Sequence, residues 1–185
     1  IKPTDRVLIF AGRLTWEKGI DKVLEALDYI ETDNVVLLIV GALMMNNDIH
    51  DEFYLKLQSL AKKHGNKVKF TGYVNHDELQ NVYNIAYIAV LPSMWDEPAG
   101  LTMIEAMACG IPTITTRSGG IPEYVSDAAI VLERDASLPQ EIAKNVDLLL
   151  HDDSLYADFC QKGSLHIQKH FSLDSYLQKF VEAIA

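Results

Sequence analysis

The sequence predicts an α/β protein in which a parallel sheet of about six strands is covered by helices on both faces. Two runs, RVLIFA at Arg6–Ala11 and VVLLIV at Val35–Val40, consist almost entirely of apolar residues. Apolar runs of this length are typical of strands that are buried on both faces. Segments with helical spacing of apolar residues separate these and later strands, and such alternation is typical of a doubly wound parallel sheet.

The alternation continues to the end of the chain without a repeat or a linker, so residues 1–185 are predicted to form one domain. Strands are predicted at residues 6–11, 35–40, 67–71, 86–91, 112–116 and 129–132. Helices are predicted at residues 18–30, 51–64, 76–84, 100–109, 138–150, 153–170 and 173–185. Parallel sheets bind ligands beyond the carboxyl ends of their strands, so we expect the site in the loops that follow the strands.

Composition narrows the class of function. The chain has 16 basic and 26 acidic residues, and its formal net charge of −10 argues against nucleic acid as a partner. No apolar run approaches the ~20 residues of a membrane span, so the sequence gives no indication of membrane association. Two cysteines, Cys109 and Cys160, show no metal-ligand spacing, and a reducing cytoplasmic location is expected.

The loop after the first predicted strand reads GRLTWEKG, residues 12–19. Gly12 lets the chain turn off the strand, and Thr15 is a suitable N-cap for the next helix. Arg13 and Lys18 place two cations near the start of that helix, where positive charge opposes the helix dipole. A diphosphate bound between them would explain both, since Arg presents a planar fork and Lys a point charge. Two solvated surface side chains are the alternative.

A second loop leads into a helix in the stretch WDEPAGLTMIEAMACG, residues 95–110. Gly100 lets the backbone come close to a ligand. The amides of Gly100, Leu101 and Thr102 are predicted to point out of the helix start. Together they would form an anion site made by the backbone alone.

Two carboxylates flank this helix start. Glu105 lies one turn inside the helix, and Glu97 lies just before it. A carboxylate accepts hydrogen bonds from hydroxyl groups, so Glu105 beside a phosphate site predicts a contact with two ribose hydroxyls. Glu97, across the phosphate position, predicts a contact with the hydroxyls of a sugar. In the alternative, Glu105 pairs with a cation in the core and Glu97 is an exposed turn residue.

Two further loops carry weaker signals. SGGIPE at residues 118–123 is another glycine turn into a helix start, which is equally compatible with a plain connection. After the third strand, Tyr73 or Val74 could pack on a flat base, although an exposed surface aromatic is the alternative. No GxGxxG motif follows the first strand, which argues against a nicotinamide dehydrogenase. The histidines show no spacing that predicts a metal site.

Taken in order, FAGRLTWEKG, KFTGYV and LPSMWDEPAGLTMIEAMACGIPTITTRSGGIPE resemble the donor-binding C-terminal half of retaining glycosyltransferases of family 4. The resemblance covers nearly the whole chain and includes a paired-glutamate motif, Glu97 followed at matching distance by Glu105. It implies one Rossmann-like half of a GT-B fold. It also implies transfer of a hexosyl group from a nucleoside-diphosphate sugar, with UDP as the expected carrier, to an acceptor hydroxyl with retention. No metal or other cofactor is expected.

The resemblance implies roles for the residues at matching positions. Arg13 and Lys18 match the cations that hold the diphosphate and stabilise the leaving group, and Glu97 matches the glutamate that contacts the transferred sugar. These three form the predicted catalytic set. Glu105 matches the ribose-binding glutamate. The predicted substrate-binding set is Gly12, Val74, Gly100, Leu101, Thr102 and Glu105.

Position 99 is alanine where many relatives carry a bulkier residue, so the donor sugar stays open. The loop after the second strand, GALMM at residues 41–45, lacks a second glycine and is given no ligand role. The family's N-terminal domain, which binds a carbohydrate or lipid-linked acceptor, does not match any part of this chain. We therefore expect a donor half that transfers little alone, with residues 173–185 packing against the other half.

The resemblance suggests a bacterial enzyme of surface polysaccharide or glycoconjugate synthesis, which in its full length could work at the inner face of the membrane. Two alternatives remain open. One is a non-catalytic module that binds nucleotide sugars, although such a module has no need of the leaving-group cations. The other is an epimerase or phosphorylase of the same fold, although the cofactor lysine expected for a phosphorylase is not found.

Overall fold

The computed structural model describes residues 1–42 and 52–184. Its strands are β1 (Arg6–Ala11), β2 (Val35–Val40), β3 (Val68–Gly72), β4 (Ile88–Leu91), β5 (Thr113–Thr116) and β6 (Ile130–Leu132). They form one six-stranded sheet in the order β3-β2-β1-β4-β5-β6, and all neighbouring strands are parallel. The predicted doubly wound α/β fold is confirmed.

Helices connect the strands and cover the sheet. They are α1 (Ile20–Ala26), α2 (Glu52–His64), α3 (His76–Tyr83), α4 (Leu101–Ala108), α5 (Ile121–Val125), α6 (Leu138–His151), α7 (Asp153–His170) and α8 (Leu173–Ile184). Some predictions lie outside the described residues. These are residues 43–45 of the loop after β2, to which no ligand role was given, and residues 51 and 185 at the ends of two predicted helices.

The core consists of two apolar layers, one on each face of the sheet. In β1, Leu8 and Phe10 face the layer that includes residues of α1, α2 and α6. Val7 and Ile9 face the opposite layer, which includes residues of α3, α4, α5 and α7. Alternate side chains of a strand point to opposite faces, so a strand with apolar residues at every position is buried on both sides.

The start of the first helix differs from the prediction. Residues 16–18 form a 3-10 turn, Gly19 then adopts a left-handed conformation with φ of 67°, and α1 begins only at Ile20. A Cβ on residue 19 would lie 2.0 Å from the carbonyl oxygen of Pro92, so this close approach requires glycine. Thr15 precedes the turn, but its side chain accepts no cap hydrogen bond, and its buried hydroxyl has no partner in the described structure. The prediction of Thr15 as a helix cap was wrong.

Other differences are shifts of a few residues at element ends, where hydrogen bonding is weakest. The stretch 118–123 was predicted only as the start of a helix. It leads into the short helix α5, with Pro122 in its first turn. This helix contributes a side chain to the site described next.

Candidate active site

The candidate site lies where the strand order reverses direction. β1 sits between β2 and β4, so the connections that leave the sheet on its two sides diverge beyond the carboxyl end of β1. A cavity of about 510 Å³ opens there. Gly41 belongs to its wall, and a Cβ at this residue would lie 1.9 Å from the carbonyl oxygen of Gly12. Glycine at position 41 therefore lets the loops after β1 and β2 approach each other.

Six of the predicted site residues line this cavity, namely Gly12, Arg13, Val74, Leu101, Thr102 and Glu105. Val40, Tyr73 and Leu79 add an apolar wall. Tyr73 is 75% exposed, so much of its ring surface is accessible from solvent. The cavity thus combines an apolar wall with a carboxylate, a guanidinium group and a helix start.

The three remaining predicted residues, Lys18, Glu97 and Gly100, line a much smaller crevice of about 10 Å³. Ala11 and Thr102 belong to the walls of both spaces, so the crevice and the cavity adjoin. The structure therefore brings all nine predicted residues to one place, although they come from loops far apart in sequence.

Glu97 is a buried residue with only 5% of its surface exposed, which contradicts the alternative of an exposed turn residue. The Lys18 ammonium donates a hydrogen bond to Oε1 of Glu97. The Ser93 hydroxyl lies 3.0 Å from the same oxygen. The Gly120 amide donates to the main-chain oxygen of Glu97 at 2.9 Å, so side chain and backbone are both held in place.

The surroundings of Arg13 and Lys18 differ from those that the sequence predicted. Lys18 ends the 3-10 turn and does not lie in the first turn of α1. Its positive charge is paired with the carboxylate of Glu97. Nη2 of Arg13 lies 3.7 Å from the carboxylate of Glu17, and this Arg side chain is about half exposed, at 53%. Each of the two cations therefore lies near a carboxylate.

The start of α4 differs from the prediction in one respect. The Gly100 amide donates a 2.7 Å hydrogen bond to the hydroxyl of Tyr124, so it is not directed at a ligand. For the amides of Leu101 and Thr102, no hydrogen-bond partner is found among the described residues. A Cβ on residue 100 would lie 2.3 Å from the Tyr124 hydroxyl. Burial raises the pKa of Tyr124 to about 12, so the hydroxyl is neutral at ordinary pH.

Glu105 is held by residues of α3. The Tyr83 hydroxyl lies 3.2 Å from Oε2 of Glu105 and 3.2 Å from the carbonyl oxygen of Thr102. Burial, together with the adjacent Glu105 carboxylate, raises the pKa of Tyr83 far above its usual range. His76 lies at the rim, with Nδ1 at 3.9 Å from Oε1 of Glu105. No core cation pairs with Glu105 in the described structure.

Sequence reasoning missed three side chains that support the site: Ser93, Tyr83 and Tyr124. A buried tyrosine or serine needs a hydrogen-bond partner, which is the one signal the sequence offers. The partners are separated from Tyr83 and Tyr124 by 19 to 24 residues in the chain. Only the packing of helices against one another brings these groups together.

Residues 1–42 and 52–184 contain neither a candidate metal site nor a candidate membrane span. No group of three or more His, Cys, Asp or Glu side chains there is placed to hold a metal ion. Within the same residues, every helix is too short or too polar to cross a bilayer.

Comparison with known proteins identifies the family. The family model described as "Glycosyl transferases group 1" matches residues 1–166. An uncharacterized glycosyltransferase of Methanocaldococcus jannaschii is 30% identical over 182 residues, covering 98% of this chain and 45% of that protein. The lipopolysaccharide 1,2-N-acetylglucosaminetransferase of Salmonella typhimurium is 27% identical over 180 residues, covering 95% of this chain and 47% of that protein. The chain thus spans about half the length of these relatives.

Among solved structures, HepE of Anabaena in complex with UDP and glucose matches with a TM-score of 0.85 and 21% identity, over 97% of this chain and 48% of HepE. At this identity the likeness concerns the fold. Fold and family together define the C-terminal, Rossmann-like domain of a GT-B glycosyltransferase. Within that class, the chain belongs to the group 1 family of glycosyl transferases.

Proposed function

We propose that the chain is the donor-binding domain of a retaining hexosyltransferase of family 4 that uses a UDP-sugar. One observation carries the proposal. An apolar cavity with a carboxylate adjoins a crevice with a partly buried Lys18–Glu97 pair, and the start of α4 lies between them. This order of surfaces suits a nucleotide sugar, whose base and ribose would occupy the cavity, whose diphosphate would lie at the helix start and whose sugar would lie at the crevice.

The large cavity takes the nucleoside. The apolar wall next to Val74 suits the face of a base, and the nearby Glu105 carboxylate accepts hydrogen bonds from the ribose hydroxyls. UDP is favoured as the carrier because HepE, which shares this fold, was crystallised with UDP and glucose.

The start of α4 takes the diphosphate. The amides of Leu101 and Thr102 lie at the positive end of the helix dipole and have no partner among the described residues. Arg13 from the cavity side and Lys18 from the crevice side add positive charge. Lys18 has to exchange its Glu97 partner, at least in part, for a phosphate oxygen.

In the proposed reaction, an acceptor hydroxyl oxygen forms a bond to the anomeric carbon, while the bond from that carbon to the diphosphate oxygen breaks. The bonding electrons leave with UDP, and the acceptor proton passes to the departing phosphate. Arg13 and Lys18 stabilise the negative charge that develops on the leaving group. Glu97 holds hydroxyls of the transferred sugar. No metal ion is proposed, because the two cations and the helix amides supply the positive field.

The acceptor is proposed to bind to an N-terminal domain, since the chain covers 45% and 47% of two glycosyltransferase relatives. The Salmonella relative acts on lipopolysaccharide, and a bacterial surface polysaccharide or glycoconjugate is the proposed product class. A cytoplasmic enzyme is proposed. In α8, no residue is buried, and Leu173 and Ile184 are about 70% exposed, which suits packing against that further domain.

The test is calorimetric titration of UDP, GDP and ADP into this chain and into Glu105→Ala and Arg13→Ala/Lys18→Ala variants. We expect UDP to bind and both variants to lose at least about tenfold in affinity while their circular dichroism stays native. Lys144→Ala removes a cation that is 72% exposed and lines neither cavity. This variant serves as the control and should bind with unchanged affinity. A folded chain that binds none of the three nucleotides at millimolar concentration would contradict the proposal.

A further inference from the structure

We propose that Tyr83 is a positioning residue that orients the Glu105 carboxylate toward the ribose and thereby sets the preference for ribonucleotides over 2′-deoxyribonucleotides. This inference rests on the proposed function, in which Glu105 accepts hydrogen bonds from the ribose hydroxyls. It adds a residue that sequence reasoning missed and that does not itself line the cavity.

The Tyr83 hydroxyl contacts the Glu105 carboxylate directly. The Tyr83 hydroxyl lies 3.2 Å from Oε2 of Glu105 and 3.2 Å from the carbonyl oxygen of Thr102. Both neighbours are acceptors at neutral pH, so the phenol must be the donor. One proton can favour only one of them at a time, and the charged carboxylate is the stronger acceptor.

Tyr83 is held rigidly by the core. Tyr83 is the last residue of α3, it is only 1% exposed, and its ring packs in the same apolar layer as Met103 and Met107 of α4. The donor is therefore fixed by the core. The Glu105 side chain is 27% exposed and lines the cavity, so without an anchor its three side-chain torsions would sample several rotamers. Anchoring one oxygen lowers the entropy lost when ribose binds.

No stronger anchor for the Glu105 carboxylate than Tyr83 is found among the described residues. His76 lies 3.9 Å from the other oxygen, Oε1, but its side chain is 80% exposed. Such an exposed pair contributes little orientation. With Oε2 held by Tyr83, Oε1 is the oxygen that remains on the solvent side for a ligand hydroxyl.

Tyr83 could instead serve only to satisfy the Thr102 carbonyl and to stabilise the packing of α3 on α4. That structural role would weaken binding of every nucleotide by the same factor. A positioning role changes the ratio of affinities between a ribonucleotide and its 2′-deoxy analogue, since only the former offers both hydroxyls to Glu105.

The experiment is calorimetric titration of UDP and 2′-deoxy-UDP into the wild-type chain, Tyr83→Phe, Glu105→Gln and the double variant. Phe keeps the ring and removes only the hydroxyl. We expect the wild type to prefer UDP by about tenfold, as for one hydrogen bond to a charged group. In Tyr83→Phe the preference should fall to about twofold or less, and the double variant should show no further loss.

Tyr156→Phe is the matched control. Its hydroxyl donates to the Tyr87 carbonyl oxygen at 3.0 Å, in a half-buried position that lines neither cavity. This variant should keep the wild-type preference. If Tyr83→Phe also keeps it while Glu105→Gln loses it, the inference is overturned and the proposed function stands. If the wild type binds both nucleotides equally, or neither, the ribose role of Glu105 fails and the inference fails with it.

Discussion

The ammonium group of Lys18 donates a hydrogen bond to a carboxylate oxygen of Glu97, a residue 79 positions further along the chain. Glu97 is 5% exposed and the Lys18 side chain is 26% exposed, so the pair is largely shielded from water. The pair joins the turn after β1 to the loop after β4. It is both a structural link across the site and, in the proposed function, the place where donor binding must rearrange charge.

Removing Lys18 should destabilise the fold more than removing both charges. Lys18→Ala leaves the Glu97 carboxylate buried without its cation, and we expect a loss of ~2 kcal/mol, below the full cost of a fully buried pair because Lys18 is partly exposed. In Lys18→Ala/Glu97→Gln the buried group is neutral, so at least half of this loss should be recovered. Urea unfolding followed by circular dichroism measures both values.

The control for this cycle is the surface pair Lys162–Asp158, whose side chains are 44% and 46% exposed. Lys162→Ala should leave the urea midpoint almost unchanged, because exposed ion pairs contribute little. Equal losses in the single Lys18 variant and the double variant would show that the unpaired Glu97 carboxylate is not the cause of the lost stability.

Glu97→Gln should bind UDP more tightly than the wild type. The carboxylate competes with the diphosphate for the Lys18 ammonium, and an amide competes less because it carries no charge. We expect an increase of about fivefold, equivalent to ~1 kcal/mol, measured by calorimetry. Lys18→Ala/Glu97→Gln should lose this gain, since no ammonium remains to be released. Unchanged or weaker UDP binding in Glu97→Gln would speak against the exchange of partners.

Gly100→Ala should disturb the start of α4 through Tyr124. The new Cβ would lie 2.3 Å from the Tyr124 hydroxyl, so either the phenol or the helix start has to move. We expect a loss of ~1–3 kcal/mol of stability, as for overpacking of a core, with weaker UDP binding. Tyr124→Phe removes the clashing oxygen, so Gly100→Ala/Tyr124→Phe should lose less than the sum of the single variants.

Gly163→Ala is the comparison for Gly100→Ala. Gly163 lies inside α7, and a Cβ there would make ordinary contacts of 3.4 Å and more with Met107. Alanine is the better helix former, so this variant should be as stable as the wild type or more stable. Thermal unfolding measures the difference in stability between Gly163→Ala and Gly100→Ala. If the stability losses of Gly100→Ala and Tyr124→Phe simply add in the double variant, the proposed clash is ruled out.

Stability should fall between pH 10 and pH 12 in a way that depends on Tyr124. Burial raises its pKa to about 12, an effect that the Gly100 hydrogen bond reduces and the charge of Glu97 increases. The unfolded chain releases this proton near pH 10, and the folded chain retains it until about pH 12. The stabilisation is therefore complete below pH 10 and is lost as pH rises through this window.

We expect Tyr124 to account for roughly 1 kcal/mol of that loss, which allows for partial solvent screening. Urea unfolding at pH 9 and pH 11.5 should show a smaller decrease in Tyr124→Phe than in the wild type. Tyr29 is 48% exposed, so Tyr29→Phe should leave the decrease unchanged. An identical decrease in the wild type and Tyr124→Phe would contradict the prediction.

Nucleotide binding should not require a divalent metal. In the proposed site, Arg13, Lys18 and the helix amides neutralise the diphosphate, which is the role a metal ion would otherwise have. Calorimetric titration of UDP in the presence of EDTA and in the presence of magnesium should give dissociation constants within about twofold of each other. A tenfold gain with magnesium would contradict the metal-free proposal.

Much of the fold was predictable because its signals are local. The apolar runs of β1 and β2 identify strands buried on both faces, and the glycine after each marks its end. Element ends were less predictable. The left-handed Gly19 interrupts the first helix because the Pro92 carbonyl oxygen lies against it, and that contact joins segments more than seventy residues apart.

By itself, the sequence determined the doubly wound sheet and a set of nine residues that the structure collects around two adjoining cavities. Only the tertiary structure decided which groups face one another there. It pairs Lys18 with Glu97, occupies the Gly100 amide with Tyr124 and directs Tyr83 at Glu105. The physical reason is that strand and helix patterns follow from neighbours along the chain. Hydrogen-bond partners in a core depend instead on how separate elements pack, and that packing leaves no periodic pattern in the sequence.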